Sequence, residues 1–309
     1  HLLRRQRQMC IRDRAMIAPS SLPEGQGIYS TIVGIFPSNI IQAMAENQML
    51  AIVFFSIIFG LALNKTNHLT GNLSDSFSKL NTVFLQLIIM IMSFAPLGVF
   101  CLIGKFVIAD GLDIFQDVVA YVVLLITLLL FHAAFTYSFF LKVIGGLNPI
   151  TFFKKMKDVV LFAFSTSSSA ATIPVTLKTA NQDLGVNQNV ASFVVPVGAT
   201  INMDGTAIMQ GLATVFIAQM SGIDLTLFQY MQVVLLAVAT SIGTAAVPSA
   251  GTITLIIILQ QFNLPLEAIG IILAVDRVLD MIRTSVNVTG DAAIACIVAK
   301  TENQLDENI

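Results

Sequence analysis

The sequence has 309 residues, of which 56% are hydrophobic and 11% are charged, and its net charge is −2. Its mean hydropathy is +0.84. A soluble domain carries roughly 25% charged residues, so the composition excludes an ordinary soluble enzyme and a disordered chain. Three scattered cysteines show neither metal-binding nor redox spacing. The composition therefore indicates a polytopic membrane protein.

The first 14 residues contain five arginines, and the chain begins with His1 rather than Met. No apolar signal region follows this basic stretch. We expect residues 1–24 to be an artefactual or foreign basic segment with a linker. Since nothing else in the sequence favours nucleic-acid binding, we expect no nucleic-acid partner.

Three uncharged stretches match the length of a membrane-spanning helix, which needs about 20 mainly apolar residues. They lie within residues 46–65, 79–105 and 117–142. His132 falls inside the third stretch, where a packed and hydrogen-bonded histidine is a better interpretation than a proton relay.

Lysines predict the orientation of these spans. The loop at 142–157 holds four lysines, whereas the loop at 105–117 holds one lysine and three aspartates. By the positive-inside rule the first loop is cytoplasmic and the second is outside. Counting spans then places residues 220–226 outside and 301–309 in a cytoplasmic tail.

Two further uncharged segments are interrupted by small polar residues. Residues 159–177 contain a run of serines, and residues 224–267 contain the small-residue cluster 239–252. Irregular backbone at membrane depth is tolerated only where it is buried or lines a cavity. Each segment therefore predicts a re-entrant helical hairpin with a polar tip.

Each hairpin precedes a span with charged residues in its interior, at 187–219 and 267–299. A hairpin followed by a broken span, occurring twice, is typical of an internal repeat around a midplane site. We therefore predict an all-α polytopic membrane protein with transmembrane helices plus two re-entrant helical hairpins in an inverted repeat.

The last span carries a polar stripe. At 100° per residue, its members fall within about 80° of one helix face. The stripe consists of Asp276, Asp280, Arg283, Asn287 and Asp291. An ion pair between Arg283 and Asp280 or Asp276 would leave Asp291 unpaired. Because each buried charge costs at least ~2.5–3.5 kcal/mol at mid-bilayer, the stripe favours a binding site.

Asn202 and Asp204 offer hard oxygen ligands beside Gly205, where we expect the first of these spans to break. Such ligands suit a small cation such as Na⁺. Helix N-termini at the hairpin tips and a forked Arg283 side chain suit a carboxylate, and an aspartate suits an ammonium group.

Four motifs resemble the dicarboxylate/amino acid:cation symporter family, which includes the excitatory amino acid transporters and their prokaryotic relatives. They are FSTSSSAATIPVT (164–176), GATINMDGTA (198–207), IGTAAVPSAGT (242–252) and DRVLDMIRTSVNVTGD (276–291). Residues 35–60 resemble the family's fourth transmembrane segment. The first three family spans have no counterpart, so the chain is expected to be N-terminally truncated.

The resemblance implies three regions after the basic segment. Residues 25–142 would hold scaffold and peripheral transmembrane helices. Residues 143–300 would form a transport domain containing hairpin 1, a broken helix, hairpin 2 and a final helix. The tail at 301–309 would follow.

The resemblance also implies a site for an acidic amino acid. Arg283 would bind the side-chain carboxylate, and Asp280 would bind the amino group. The implied substrate residues are Ser168, Ser169, Thr206, Val247, Gly251, Asp280, Arg283, Thr284 and Asn287.

Sodium would act as the coupling ion, without a covalent cofactor. The implied sodium ligands are Gly198, Thr200, Asn202, Asp204, Ser241, Ile242, Thr244, Asn287 and Asp291. They divide into one set around Asp291, a second set of backbone carbonyls, and a third around Asp204 whose partners lie on the absent third span.

One departure from the family concerns arginine. Some relatives have an arginine where this chain has Ser167 or Met281, whereas this chain has Arg277 beside Asp276. Arg277 either replaces that charge or pairs with Asp276.

Together these features predict a secondary active transporter that works by alternating access and is not an enzyme, and the resemblance implies that it carries glutamate or aspartate with sodium. We expect a multi-pass protein of the inner (plasma) membrane, embedded in the lipid bilayer, and the resemblance implies a homotrimer. The alternatives are a proton-coupled C4-dicarboxylate carrier, a channel lined by the polar stripe, and a membrane serine hydrolase that uses residues 165–169 with His132.

Overall fold

A computed structural model describes residues 36–45, 49–71, 73–94, 114–242 and 244–306, with isolated positions between 97 and 108. The predictions for residues 1–24 and for the beginning of the 25–142 region lie outside this part of the chain. The described residues form helices joined by turns and loops, with one isolated bridge between Val186 and Leu305.

In the part of the chain that the structure describes, seven α-helices and one π turn precede the first helix–turn–helix pair. They are α1 (Ile40–Ala45), α2 (Met49–Lys65), α3 (Asn67–Thr70), α4 (Leu73–Met92), α5 (Ile114–Phe131), a π turn (His132–Tyr137), α6 (Ser138–Val143) and α7 (Pro149–Lys155).

The remaining helices comprise two helix–turn–helix pairs, α8–α9 and α12–α13, each followed by one or two further helices. They are α8 (Lys157–Thr166), α9 (Ser169–Gln182), α10 (Gln188–Ile201), α11 (Asp204–Met220), α12 (Leu227–Ile242), α13 (Ala250–Gln261), a 3-10 turn (Leu266–Ala268) and α14 (Ile269–Thr301).

One continuous helical stretch among the described residues, Gln116–Val143, is long and apolar enough to cross a membrane by length and composition. It corresponds to the third predicted span. The first predicted span corresponds to α2, whose 17 residues rise about 26 Å. The second predicted span is described in part, and α4 ends within it at Met92.

The first predicted hairpin is a helix–turn–helix pair, α8 and α9. Ser167 adopts a left-handed conformation with φ 51°, and Ser168 is the extended N-cap of α9. The second pair, α12 and α13, also has a left-handed serine at its tip, since Ser249 has φ 58°. Both helix pairs therefore reverse at a serine held in a backbone region that L-residues rarely occupy.

The two spans that follow the hairpins differ from each other. The first is broken between α10 and α11, where Asn202 and Met203 have non-helical dihedral angles. The break lies ahead of the expected Gly205, which is helical. The second span is α14, a continuous helix of 33 residues, so the expectation of a second broken span was wrong.

Helix α14 lies at the centre of the described structure. It contacts α5, α8, α9, α10 and α11. Small side chains such as Ala292, Ala293, Ala295 and Ala299 let these neighbours approach closely, and all four are buried. The polar stripe of α14 is consequently surrounded by protein.

Candidate functional site

A small cavity lies between the two tips, the helix break and α14. It is lined by Ser167, Ser169, Met203, Thr206, Thr244, Ala245, Ala246, Val247, Gly251, Asp280, Arg283, Thr284 and Asn287. Its volume of about 20 Å³ has room for roughly one water molecule. Little free space therefore remains between the tips and α14.

Arg283 is the cation at the centre of this site and is 2% exposed. Its Nη2 donates to Asp280 Oδ1 at 2.5 Å, and its Nη1 lies 3.5 Å from Asp276 Oδ1. Both carboxylates are buried. Two anions share one cation here, and such a group survives burial only through further hydrogen bonds.

Those hydrogen bonds come from the second helix pair. The backbone N–H of Ser249 donates to Asp280 Oδ2 at 2.8 Å, and Thr252 Oγ1 donates to Asp276 Oδ1 at 2.7 Å. The left-handed conformation of Ser249 belongs to the turn that carries this N–H. The tip of the second pair is thus tied directly to the charged residues of α14.

Asn287 connects α14 to the helix break. Its Oδ1 accepts from the backbone N–H of Gly205 at 2.8 Å, and its Nδ2 donates to Thr206 Oγ1 at 3.3 Å. The first N–H groups of a helix lack partners within the helix, so Asn287 supplies an acceptor at the N-terminus of α11.

The two tips also contact each other. Ser168 Oγ donates to the carbonyl of Ala246 at 2.8 Å, and the Ala170 N–H donates to the same carbonyl at 3.3 Å. Ser168 Oγ also accepts from the Ala171 N–H at 3.2 Å as the N-cap of α9.

A buried amide joins α11 to both arms of the second helix pair. Gln210 Nε2 donates to the Gly251 carbonyl at 3.1 Å and to Thr254 Oγ1 at 2.7 Å, and its Oε1 accepts from Thr240 Oγ1 at 2.9 Å. Sequence reasoning did not identify Gln210, although an uncharged glutamine two turns after a helix break was a usable signal.

Asp291 lies buried on the α10 side of α14. Its Oδ1 accepts from Asn202 Nδ2 at 3.1 Å, and a Cβ placed on Gly198 would be 2.7 Å from the same oxygen. No lysine or arginine in the described chain forms an ion pair with Asp291. The structure thus brings together Gly198, Asn202 and Asp291, with Asn287 one turn away on α14.

The second expected set of sodium ligands is more dispersed. Ser241 and Ile242 end α12, Thr244 follows them in the tip, and α12 contacts α10, which carries Thr200. The Ser241 carbonyl accepts from the Thr244 N–H at 3.1 Å.

Asp204 begins α11 and is partly exposed. Its Oδ2 lies 3.1 Å from His132 Nε2 and accepts from the Tyr137 hydroxyl at 3.1 Å. His132 is thus hydrogen-bonded, as expected. Tyr137 was not recognised as a neighbour of Asp204.

The expected substrate residues line the cavity with one exception. Ser168 lies at the tip and contacts Ala246 rather than the cavity. Ser167, Met203, Thr244, Ala245 and Ala246 line it in addition. Two of these five, Ser167 and Ala246, are next to an expected substrate residue in the tips, and Thr244 was expected as a sodium ligand instead.

Arg277 is exposed and forms no ion pair with the residues that the structure describes. Its neighbour Asp276 is paired with Arg283 instead. Pairing between Arg277 and Asp276 was therefore wrong.

Comparison with known proteins gives the same assignment along most of the chain. A sequence model described as the sodium:dicarboxylate symporter family matches residues 12–301. The human excitatory amino acid transporter 2 is 41% identical over 253 residues, which is 81% of this chain and 44% of the relative.

Two other relatives give similar figures. The mouse excitatory amino acid transporter 3 is 36% identical over 92% of this chain and 53% of its own length. An excitatory amino acid transporter of Caenorhabditis elegans is 38% identical over 81% of this chain and 50% of its own length. The chain spans about half the length of the curated relatives it matches.

Proposed function

Because the chain belongs to the sodium:dicarboxylate symporter family, as its four motifs predicted, we propose that it carries acidic amino acids, glutamate or aspartate, by sodium-coupled symport. The cavity between the tips would be the substrate site. No bond of the substrate is made or broken in such transport.

The observation that carries this proposal is the buried pair of Arg283 and Asp280. A substrate carboxylate that binds Arg283 deprives Asp280 of its cation, and a buried carboxylate without a partner is costly. An amino acid removes this cost, because its ammonium group replaces the guanidinium beside Asp280. A dicarboxylate without an amino group cannot make this exchange.

Sodium coupling is supported by Asp291. This carboxylate is 2% exposed and has a neutral amide as its hydrogen-bond donor, so a bound cation would offset the cost of burying its charge. Asn202 contacts Asp291, and Asn287 contacts the α11 N-terminus beside the cavity. Cation binding at Asp291 would thus order the residues that hold substrate, which makes the two affinities reciprocally coupled.

The architecture proposed for transport has further parts. The two helix pairs would be re-entrant hairpins related by an inverted repeat, with the second tip acting as a gate during alternating access. The remaining helices would form a scaffold in a homotrimer. Large exposed side chains along Gln116–Val143, such as Phe131 and Phe135, suit contact with the lipid of a plasma or bacterial inner membrane.

The hydrolase alternative finds no support in the geometry. A serine nucleophile needs a base within hydrogen-bond reach, whereas His132 lies against Asp204 and Ser168 lies against Ala246. A proton-coupled dicarboxylate carrier and a channel are the alternatives that experiment must separate.

The test is uptake of labelled L-aspartate into proteoliposomes under an inward sodium gradient. Saturable uptake that stops without sodium supports symport, whereas a non-saturating flux supports a channel. Measuring substrate affinity as a function of sodium concentration at two fixed pH values distinguishes sodium coupling from proton coupling. A flat sodium response with a steep pH response would support proton coupling, and Asp291→Asn should weaken the sodium response more than it weakens binding at saturating sodium.

A further inference from the structure

The π turn at His132–Tyr137 interrupts the longest apolar helix of the described chain. In a regular α-helix, two residues five apart point about 140° away from each other. A π turn has i→i+5 hydrogen bonds, which bring such residues closer to one face, and it is found frequently at functional sites. Here the two residues brought together are His132 and Tyr137.

Both side chains meet the same carboxylate oxygen. Asp204 Oδ2 lies 3.1 Å from His132 Nε2 and 3.1 Å from the Tyr137 hydroxyl. The hydroxyl also lies 3.3 Å from the Val286 carbonyl of α14. Because a hydroxyl has one proton and the carboxylate is the stronger acceptor, Tyr137 donates mainly to Asp204 while remaining in contact with α14.

Gly290 of α14 leaves the space that this arrangement needs. A Cβ on Gly290 would lie 2.6 Å from the Tyr137 hydroxyl and 2.7 Å from Asn202 Nδ2. Real Cβ atoms do not approach this closely, so a side chain here would displace both groups. Asn202 in turn donates to Asp291. A continuous set of contacts thus runs from Asp204 through Tyr137 and Gly290 to Asn202.

We propose that Tyr137 is a positioning residue for the cation site formed by Asn202 and Asp204: its hydroxyl, which the π turn places between α14 and Asp204, holds the Asp204 carboxylate in position. This inference rests on the proposed sodium coupling. It assigns to Tyr137 a role that acts through Asp204 and not through the substrate.

The test is Tyr137→Phe, which keeps the ring and removes the hydroxyl. We expect the sodium concentration that half-saturates aspartate binding to rise about ten-fold, the factor that corresponds to ~1.4 kcal/mol. The affinity for aspartate at saturating sodium should stay within about two-fold of the wild-type value. If Tyr137 only packed against its neighbours, the substitution would lower the melting temperature but would not change the sodium requirement more than it changes aspartate affinity at saturating sodium.

Tyr121→Phe is the matched control. Tyr121 lies on the same apolar stretch and is also buried, but its hydroxyl has no hydrogen-bond partner among the described residues. Its removal should leave the sodium response unchanged. An equal shift in both variants would overturn the inference, because the effect would then belong to any buried tyrosine of this helix.

Gly290→Ala supplies a second variant that works from the opposite side. It should raise the half-saturating sodium concentration in the wild-type background and raise it less in the Tyr137→Phe background, because one of the two groups that it displaces, the hydroxyl, is already gone and only Asn202 remains. Strictly additive effects would overturn the inference. A wild-type protein without any sodium response would overturn the proposed function as well, whereas a normal wild-type response with an unchanged Tyr137→Phe overturns this inference alone.

Discussion

The Asp291 carboxylate lies directly against the backbone of Gly198, so that a Cβ on this glycine would be 2.7 Å from Oδ1 and 3.0 Å from Cγ. Gly198 is helical, and its lack of a side chain therefore serves close approach rather than an unusual conformation. Any larger residue must displace the carboxylate or separate α10 from α14.

Gly198→Ala should accordingly weaken the sodium site that we propose at Asp291. We expect the half-saturating sodium concentration for aspartate binding to rise by about ten-fold or more. Gly211→Ala is the control, because a Cβ on Gly211 meets nothing within 4 Å and alanine favours a helix. Equal sodium responses in the two variants would remove Asp291 from the cation site.

Arg283→Cys should abolish binding of acidic substrates and allow a small neutral amino acid such as alanine to bind. The substitution leaves Asp276 and Asp280 without their cation, and breaking such a buried group costs about 3–5 kcal/mol. The melting temperature must therefore be measured with the binding isotherms. Arg277→Cys, an exposed change on the same helix, should leave both quantities near wild type. Unchanged aspartate affinity in Arg283→Cys would refute the pocket assignment.

Succinate should compete with labelled aspartate about ten-fold more weakly than unlabelled aspartate does, since the missing ammonium is worth ~1.4 kcal/mol or more. The physical reason is the buried Asp280 carboxylate, which succinate cannot neutralise. Asp280→Asn should reduce the difference in inhibition constant between succinate and unlabelled aspartate. Equal competition in the wild-type protein would instead favour a dicarboxylate carrier.

Ser168→Ala should loosen the contact between the two tips. It removes the bond to the Ala246 carbonyl and the N-cap of α9, each worth about 1 kcal/mol. We expect aspartate to dissociate about five-fold faster, measured by chase with unlabelled substrate. Ser165→Ala is the control, because its hydroxyl bonds to Leu161 of its own helix. Identical dissociation rates in both variants would count against a role for the tip contact.

Residue type and spacing were sufficient to predict the parts of the site that lie on one helix. Asp280, Arg283 and Asn287 could be placed on one face of α14 because helix periodicity is local and charges in an apolar span are conspicuous. The two helix pairs were predictable for the same reason, since hydroxyls and prolines interrupt otherwise apolar segments.

Contacts between distant segments were not predictable in this way. Tyr137 contacts Asp204, which lies 67 residues later in the sequence, because a π turn rotates the helix there. The residue types in His132–Tyr137 do not predict this π turn. The hydrogen bond from Thr252 of α13 to Asp276 of α14 also joins segments that are distant in sequence. The bond from the Ser249 N–H to Asp280 is of the same kind.

The contact between the tips determines how often the tips separate at equilibrium. Two hydrogen bonds to a single carbonyl, that of Ala246, are worth together about 2 kcal/mol. A difference of that size leaves the separated arrangement populated at roughly a few per cent. Thermal motion would then separate the tips at this one contact often, whereas full opening of the second pair would also break its bonds to Asp280 and Asp276.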